Sequence, residues 1–188
     1  MRVLIVDDES LIRMDLRDIL ESIGHEVVGE GTNGVEALRL AAEHEPDVIL
    51  MDVKMPELDG IEAARQLSHA QLAPVVLLTA FSQDDLVQKA RQSGVYGYLL
   101  KPVREEALVP ALHMAIGRYQ EEKALRNQVD ALEQDLEERK FVTQATQIVM
   151  DIYKLSEDEA YKRIRSLAMK KRQSVGKIAH QIIKAQKK

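Results

Sequence analysis

The most informative stretch of this chain is residues 47–60, which have the sequence DVILMDVKMPELDG. An apolar run that begins at Val48 leads directly into Asp52, and a proline-containing turn follows before a helix begins near Asp59. A strand that is apolar at every position is buried on both faces, which is typical of a parallel sheet. Open α/β sheets bind their ligands at the carboxyl ends of such strands, where Asp52 lies. Taken alone, the stretch is equally consistent with an aspartate that only starts a turn.

Composition limits the class of protein. The 188 residues suffice for one ordinary domain and a smaller one, and the 45% hydrophobic content can build a core. The absence of cysteine excludes a disulfide framework and a thiolate metal site, and it favours a reducing compartment. The sequence has no signal-peptide pattern, and no apolar run approaches the roughly 18 residues of a membrane span. We therefore expect a cytoplasmic protein with no membrane partner.

Charge divides the chain into an acidic front and a basic tail. Residues 1–118 carry 20 acidic and 11 basic side chains, whereas residues 119–188 carry 11 acidic and 15 basic ones. The last stretch, residues 160–188, holds 10 basic side chains and no acidic one. This asymmetry predicts two modules with different partners.

Strand-like and helix-like segments alternate along the front module. Strands are predicted at residues 3–6, 26–30, 48–52, 75–79 and 96–100, and helices at residues 10–23, 34–43, 61–67 and 84–93, with a fifth helix from about 105. This alternation predicts an α/β fold with a doubly wound, five-stranded parallel sheet and helices on both faces.

Polar side chains follow four of these strands. They are Asp7 and Asp8 after the first, Asp52 after the third, Thr79 after the fourth and Lys101 after the fifth. The carboxyl ends of parallel strands share one edge, and three carboxylates held there repel one another unless a positive charge is present. A hard cation such as Mg²⁺ would supply that charge, and a Lys and a Thr can contact a phosphoryl oxygen. The alternative is a set of unrelated surface turns.

The front module resembles the receiver domain of two-component response regulators over residues 1–118. The matching motifs are Asp7-Asp8, Asp52 with Met55-Pro56 and Gly60, Thr79-Ala80, and Tyr98 three residues before Lys101-Pro102. The resemblance implies a flavodoxin-like fold and a regulator that is not an enzyme beyond transferring phosphate to itself and losing it again. It also implies that a sensor histidine kinase phosphorylates Asp52.

The resemblance further implies roles for individual residues. Mg²⁺ would be held by Asp8, Asp52 and the Lys54 backbone carbonyl, with help from Asp7. Lys101 would assist the phosphoryl transfer and precede a cis peptide bond, while Thr79 and Tyr98 would rearrange on activation. Phe81, two residues beyond Thr79, would hinder the hydrolytic water.

A heptad pattern follows the front module. Leu125, Val129, Leu132 and Leu136 are spaced by four, three and four residues, in a segment where Pro110 and Gly117 are the only breakers between residues 105 and 140. This spacing predicts that the fifth helix continues as a two-stranded coiled coil over a linker at residues 119–137. The alternative is one amphipathic helix folded back on its own chain.

The tail, residues 138–188, has the pattern of three short helices. Ser156 and Glu159 form a capping box before the second helix, and Ser174 is placed to cap the third. The one-signed charge around this small core predicts a polyanionic partner.

The tail resembles the ANTAR domain, an RNA-binding antiterminator module. The matching features are Arg139-Lys140, Ala145, Met150, Ser156 to Tyr161, Arg165, Ala168-Met169, Arg172, Ile178-Ala179 and Ile182-Ile183. One departure is Ala145-Thr146-Gln147, where many members have Ala-Lys-Gly. The residues that we expect to bind RNA are Arg139, Lys140, Tyr161, Lys162, Arg165, Lys170, Lys171 and Arg172, and Tyr153 is a second candidate for stacking on a base.

The sequence thus predicts a response regulator that dimerises on phosphorylation, binds RNA stem-loops in nascent transcripts and prevents termination. One alternative is a DNA-binding regulator with a helix-turn-helix tail, although its second helix would offer only Lys177, His180 and Gln181 to bases. A protein-interaction output is the other.

Overall fold

A computed structural model describes residues 1–80 and 94–186 of the chain. The elements within these ranges are β1 (Arg2–Val6), α1 (Ser10–Ser22), β2 (Glu26–Gly31), α2 (Gly34–His44), β3 (Val48–Asp52), α3 (Gly60–His69), β4 (Val75–Thr79), β5 (Gly97–Leu100), α4 (Glu105–Tyr153), α5 (Glu157–Lys171) and α6 (Val175–Gln186). They form two compact units, Met1–Lys123 and Ala124–Lys188. The predicted helix at 84–93 and the predicted role of Phe81 lie outside the described residues.

The first unit is built on a five-stranded sheet with the order β2-β1-β3-β4-β5, and all four strand pairs are parallel. The chain moves from β1 to β2 on one side and then returns to place β3 on the other side of β1. The crevice between the carboxyl ends of β1 and β3 is the point where the strand order reverses, and ligands bind there in this class of sheet. The predicted doubly wound α/β fold is confirmed.

Helices cover both faces of the sheet, and the strand sequences explain why. β3 and β4 are buried at all five of their positions. Because side chains alternate between faces along a strand, Met51 packs with the α2 and α3 side while Leu50 packs with α1 and the start of α4. A continuous apolar strand of this kind is stable only when both faces are covered.

Helix α3 begins close to the end of β3. The Asp59 side chain accepts a hydrogen bond from the Glu62 backbone N–H, which caps the helix, and the Gly60 N–H donates to the Val53 carbonyl at 2.9 Å. A Cβ at Gly60 would collide with the Asp52 backbone carbonyl, so only glycine permits this approach. The turn after Asp52 is therefore fixed by the helix that follows it.

The long helix α4 continues without a break from Glu105 to Tyr153. It includes the predicted fifth helix, the linker and the first tail helix. Its early residues Leu108 and Leu112 are fully buried in the first unit, and Ala145 is fully buried in the second. The side chains of the predicted seam are exposed in this single chain, at 61% for Leu125, 46% for Val129, 69% for Leu132 and 56% for Leu136.

The second unit is a three-helix bundle with its own core, which includes Ala145, Ile164 and Ile178. The capping box predicted for Ser156 and Glu159 is present at the start of α5. Between residues 1–80 and 94–186, no helix combines the length and apolarity needed to cross a membrane.

Candidate functional site

The carboxyl edge of the sheet brings together the residues predicted for the first unit. Asp7 follows β1, Asp52 ends β3, Thr79 ends β4, and Lys101 follows β5. The Asp7 N–H donates to the Gly31 carbonyl at 3.1 Å, and the Lys101 N–H donates to the Thr79 carbonyl at 2.8 Å. These backbone bonds extend the strand pairing by one residue, so the side chains start from fixed positions.

Lys101 joins two of the carboxylates. Its Nζ lies 2.7 Å from Asp7 Oδ2 and 2.7 Å from Asp52 Oδ1. The Asp7 side chain is fully buried, and the side chains of Asp52 and Lys101 are only 10% and 12% exposed. The ammonium group is therefore the counter-charge that allows two buried carboxylates to lie side by side.

Burial and neighbouring charges shift the pKa values of both Asp52 and Lys101. Burial raises the pKa of Asp52, and the neighbouring Asp7 charge raises it further, while Lys101 and the Lys54 N–H oppose the change without cancelling it. Burial by itself would lower the pKa of Lys101, but its hydrogen bonds to Asp52 and Asp7 and their charges outweigh burial and raise it. Lys101 is thus a fixed positive charge at neutral pH, and Asp52 is a more basic carboxylate than usual.

The acidic residues have the chemistry of a site for a hard cation. Asp7, Asp8 and Asp52 each offer a carboxylate oxygen, and these oxygens lie within 4.8 Å of one another. Asp7 Oδ2 is buried, and its close polar contact is the Lys101 ammonium at 2.7 Å. Asp8 is exposed. Two buried carboxylates and one open to solvent suit a divalent ion that keeps some of its water.

The other residues predicted for this site differ in how exposed they are. Thr79 is 8% exposed and lies at the same edge, whereas Tyr98 points outward and is 51% exposed. The Lys101–Pro102 peptide bond is cis, as the resemblance implied. The Lys54 N–H donates to Asp52 Oδ2 at 2.9 Å, while the metal-binding role of the Lys54 carbonyl stays a prediction.

Sequence reasoning missed one residue that supports the site. Arg13 Nη1 donates to the Asp7 backbone carbonyl at 2.7 Å, and its Nε donates to Glu30 at 3.1 Å. Arg17 also pairs with Glu30, at 2.6 Å. Burial by itself would raise the pKa of Glu30, but the hydrogen bonds from Arg17 and Arg13 outweigh it and lower that pKa. The only sequence signal was an arginine in the helix that follows the Asp7-Asp8 pair.

The second unit carries the predicted RNA-binding residues on its surface. All eight are exposed, and two of them already have acidic neighbours one turn away. Arg139 pairs with Asp135 at 2.8 Å and Lys162 pairs with Asp158 at 2.7 Å. Such exposed pairs contribute little free energy, so they leave both cations available to a stronger anionic partner.

The basic cluster at residues 170–172 spans the end of α5. Lys170 and Lys171 lie in the last turn of α5, and Arg172 is the C-cap residue, with a left-handed φ of 51°. Cations in the last turn also stabilise a helix through its dipole. The cluster therefore lies at a helix end, next to the turn that leads into α6.

The two candidate tyrosines have different surroundings. Tyr161 lines a pocket with Thr146, Glu157 and Asp158, so two acidic side chains border it. Tyr153 has the Arg163 guanidinium 4.2 Å from its ring centroid. At the position of the sequence departure, Thr146 is largely buried and its hydroxyl donates to the Val142 carbonyl at 2.8 Å.

Comparisons with known proteins agree with this division of the chain. The family model of the response regulator receiver domain matches residues 3–113, and that of the ANTAR domain matches residues 130–183. The transcriptional regulatory protein PdtaR from Mycobacterium tuberculosis is 44% identical over 182 residues, which cover 97% of this chain and 89% of that protein.

Solved structures match the first unit. The receiver domain of a modulated diguanylate cyclase from Desulfovibrio desulfuricans is 37% identical with a TM-score of 0.60, covering 64% of this chain and 97% of that one. The receiver domain of sensor histidine kinase PA1611 from Pseudomonas aeruginosa is 30% identical with a TM-score of 0.56, covering 62% and 97%; its structure has magnesium coordinated in the active-site cleft.

The sheet, the bridged carboxylates and these matches together define the class: the chain belongs to the response regulators. More narrowly, it is a response regulator whose output is an RNA-binding antiterminator module of the ANTAR type.

Proposed function

We propose that Asp52 accepts a phosphoryl group from a sensor histidine kinase. The observation that carries this is the Lys101 ammonium, 2.7 Å from both Asp7 and Asp52 at the switch point of the sheet. An oxygen of Asp52 forms a bond to phosphorus while the phosphorus–nitrogen bond of the phosphohistidine breaks, which leaves an acyl phosphate. Lys101 and the Thr79 hydroxyl would donate to the phosphoryl oxygens. Transfer of the phosphoryl group to Asp52 and hydrolysis of the resulting acyl phosphate are the only reactions that we assign to the chain.

Mg²⁺ is the ion that we assign to this site. Asp8, Asp52 and the Lys54 carbonyl would hold it, and Asp7 would contact it directly or through water. The proposal is supported by the three carboxylate oxygens within 4.8 Å of one another and by the magnesium in the cleft of the PA1611 receiver. When bound, the ion supplies positive charge against the charge that develops on the phosphoryl oxygens.

Labelling with acetyl phosphate tests both proposals. The wild type should incorporate phosphate in a buffer with Mg²⁺ and lose that ability in excess chelator, and Asp52→Asn should not be labelled because its amide cannot form the acyl phosphate. Asp18→Asn is the matched control, since Asp18 is an exposed aspartate on α1. Labelling of Asp52→Asn at the level of this control would remove Asp52 as the acceptor.

Phosphorylation would then change two residues at the edge of the sheet. The Thr79 hydroxyl would turn toward the phosphoryl group, and the ring of Tyr98 would move inward. The exposure of Tyr98, 51%, is compatible with a ring that has an inward alternative. An inward Tyr98 would alter the outer surface of β5.

We also propose that the phosphorylated protein is a homodimer joined through the exposed seam of α4. Four large apolar side chains at heptad spacing, Leu125, Val129, Leu132 and Leu136, are 46–69% exposed in the single chain. Burying them against a second copy removes that apolar surface from water, which is the driving force of a coiled coil.

The second unit would bind a stem-loop in a nascent transcript and keep a terminator from forming. The contacts proposed are the basic residues Arg139, Lys140, Lys162, Arg165, Lys170, Lys171 and Arg172, together with one of the two candidate tyrosines, Tyr161 or Tyr153. A nascent transcript and a kinase-driven receiver both imply a protein of the cytoplasm. Binding of hairpin RNA and duplex DNA at equal salt separates this function from a DNA-binding one, and we expect the hairpin to bind more tightly.

A further inference from the structure

An open groove of about 730 Å³ lies between the three helices of the second unit. Its lining includes the exposed apolar side chains of Ile152 and Leu167. Ligand sites in proteins have volumes of roughly 300–1,000 Å³, and exposed apolar surface in a basic module calls for an explanation.

An aromatic ring and a guanidinium form one wall of this groove. Both Tyr153 and Arg163 line it, and the Arg163 guanidinium carbon lies 4.2 Å from the centre of the Tyr153 ring. The Tyr153 side chain is 51% exposed, so this pair is open to solvent. Aromatic rings and arginine planes are the two surfaces on which proteins stack unpaired RNA bases.

Charge selects among the possible occupants. Lys170 also lines the groove, and no acidic side chain lines it in the part of the chain that the structure describes. The pocket at Tyr161 has the opposite character because Glu157 and Asp158 border it. An anionic ligand with flat rings therefore complements the groove at Tyr153 better than the pocket at Tyr161.

We propose that the groove receives an unpaired base from the loop of the bound RNA. The base stacks on the Tyr153–Arg163 pair, the apolar side chains exclude water from its other surfaces, and Lys170 meets the adjoining phosphate. This inference rests on the RNA binding proposed above. It adds a site for the base, which the sequence left open between two tyrosines.

The test uses the phosphorylated full-length protein and a hairpin that it selects from a pool with a randomised loop. Stacking contributes about 1–3 kcal/mol per base, so Tyr153→Ser should weaken binding of this hairpin about 10-fold. Its salt dependence should stay unchanged because no cation is lost. Tyr153→Phe keeps the ring and should bind like the wild type.

Two further variants separate stacking from charge and from the other tyrosine. Lys170→Gln should weaken binding and lower the slope of log affinity against log salt by about 0.7, the value for one phosphate contact on a single strand, because Lys170 meets the phosphate. Tyr161→Ser is the matched control for a lost tyrosine and should have a smaller effect than Tyr153→Ser. Circular dichroism checks that each variant keeps its helices.

Abasic replacements along the loop identify the base. At one loop position, removal of the base should weaken binding by the wild type. The same removal should not further weaken binding by Tyr153→Ser, because the side chain that stacks on this base is already absent. The chain contains no tryptophan, so Tyr153→Trp adds a single fluorophore whose emission the stacked base should quench. This variant also serves if Tyr153→Ser loses helix content.

The outcomes are distinguishable. A pool that yields no hairpin overturns the RNA-binding proposal and this inference with it. If Tyr153→Ser binds a selected hairpin as tightly as the wild type does, the proposed base site in the groove is refuted, while RNA binding stands. The same conclusion follows if the hairpin at saturation leaves the indole emission of the Tyr153→Trp variant unchanged. If Tyr161→Ser weakens hairpin binding instead, the base binds in the pocket at Tyr161. If Tyr153→Ser sediments differently from the wild type without RNA, the groove is a contact between two copies of the chain.

Discussion

Replacing Lys101 by Met should expose the electrostatic balance of the acidic site. The variant keeps most of the buried stem but removes the ammonium that lies 2.7 Å from both Asp7 and Asp52. Breaking a buried ion pair by removing one partner typically costs about 3–5 kcal/mol. Asp52 can relieve this cost by binding a proton.

Protonation of Asp52 sets an upper limit on the free energy lost in Lys101→Met and makes that loss depend on pH. From the ordinary value of 3.8 for the pKa of Asp52, protonation at pH 7 costs about 4 kcal/mol, and at pH 5 it costs about 1.6 kcal/mol. The pKa of Asp52 is already raised by burial, so the true costs are lower. We expect Lys101→Met to lose about 2–4 kcal/mol of unfolding free energy at pH 7 and clearly less at pH 5.

The sign follows from proton binding. An acid whose pKa is raised by folding binds more protons in the folded state, so its contribution to stability improves as the pH falls toward that pKa. Removing Lys101 takes away the interaction that lowers the pKa of Asp52, and the variant should therefore gain stability, relative to the wild type, between pH 7 and pH 5.

Urea unfolding in a chelator-containing buffer measures this effect on the first unit. Lys54→Met is the control, because Lys54 is an exposed lysine two residues from Asp52 and should cost less than about 1 kcal/mol. Equal losses for Lys101→Met at the two pH values would refute the account, since the cost would then be one of packing and not of charge.

The remaining predictions concern the output. Leu132→Glu should make the phosphorylated protein a monomer in sedimentation while its fold is unchanged, because Leu132 is 69% exposed in the single chain; Gln134→Glu adds the same charge away from the seam and should remain a dimer. A persistent Leu132→Glu dimer would place the contact on another surface. Replacing Lys170, Lys171 and Arg172 together by Gln should weaken hairpin binding and lower its salt slope by about 2, at roughly 0.7 per contact; an unchanged slope with intact helices would show that the cluster only stabilises the end of α5.

The acidic edge of the sheet could be predicted from the sequence because sheet topology determines its position. Asp7, Asp52, Thr79 and Lys101 each follow or end an apolar strand, and parallel strands end at one edge whatever their order. The continuity of α4 was likewise predictable, since no helix breaker occurs between Gly117 and Lys140.

The features that could not be predicted depend on which groups the long or exposed side chains contact in the folded chain. The reach of Arg13 to the Asp7 carbonyl depends on how α1 packs beside β2, which no local pattern specifies. The choice between Tyr153 and Tyr161 depends on which charges the bundle gathers around each ring. The end of α5 extended through Lys171 because Arg172 adopts a left-handed C-cap without a glycine.

Control of RNA binding by phosphorylation is measured most directly by the affinity for a hairpin RNA with and without a phosphodonor, at one fixed salt concentration. We expect acetyl phosphate and Mg²⁺ to tighten hairpin binding by the wild type and to leave hairpin binding by Asp52→Asn unchanged. The phosphorylated wild type should bind duplex DNA more weakly than the hairpin. Equal hairpin affinity of the wild type before and after confirmed labelling at Asp52 would contradict the claim that phosphorylation controls RNA binding.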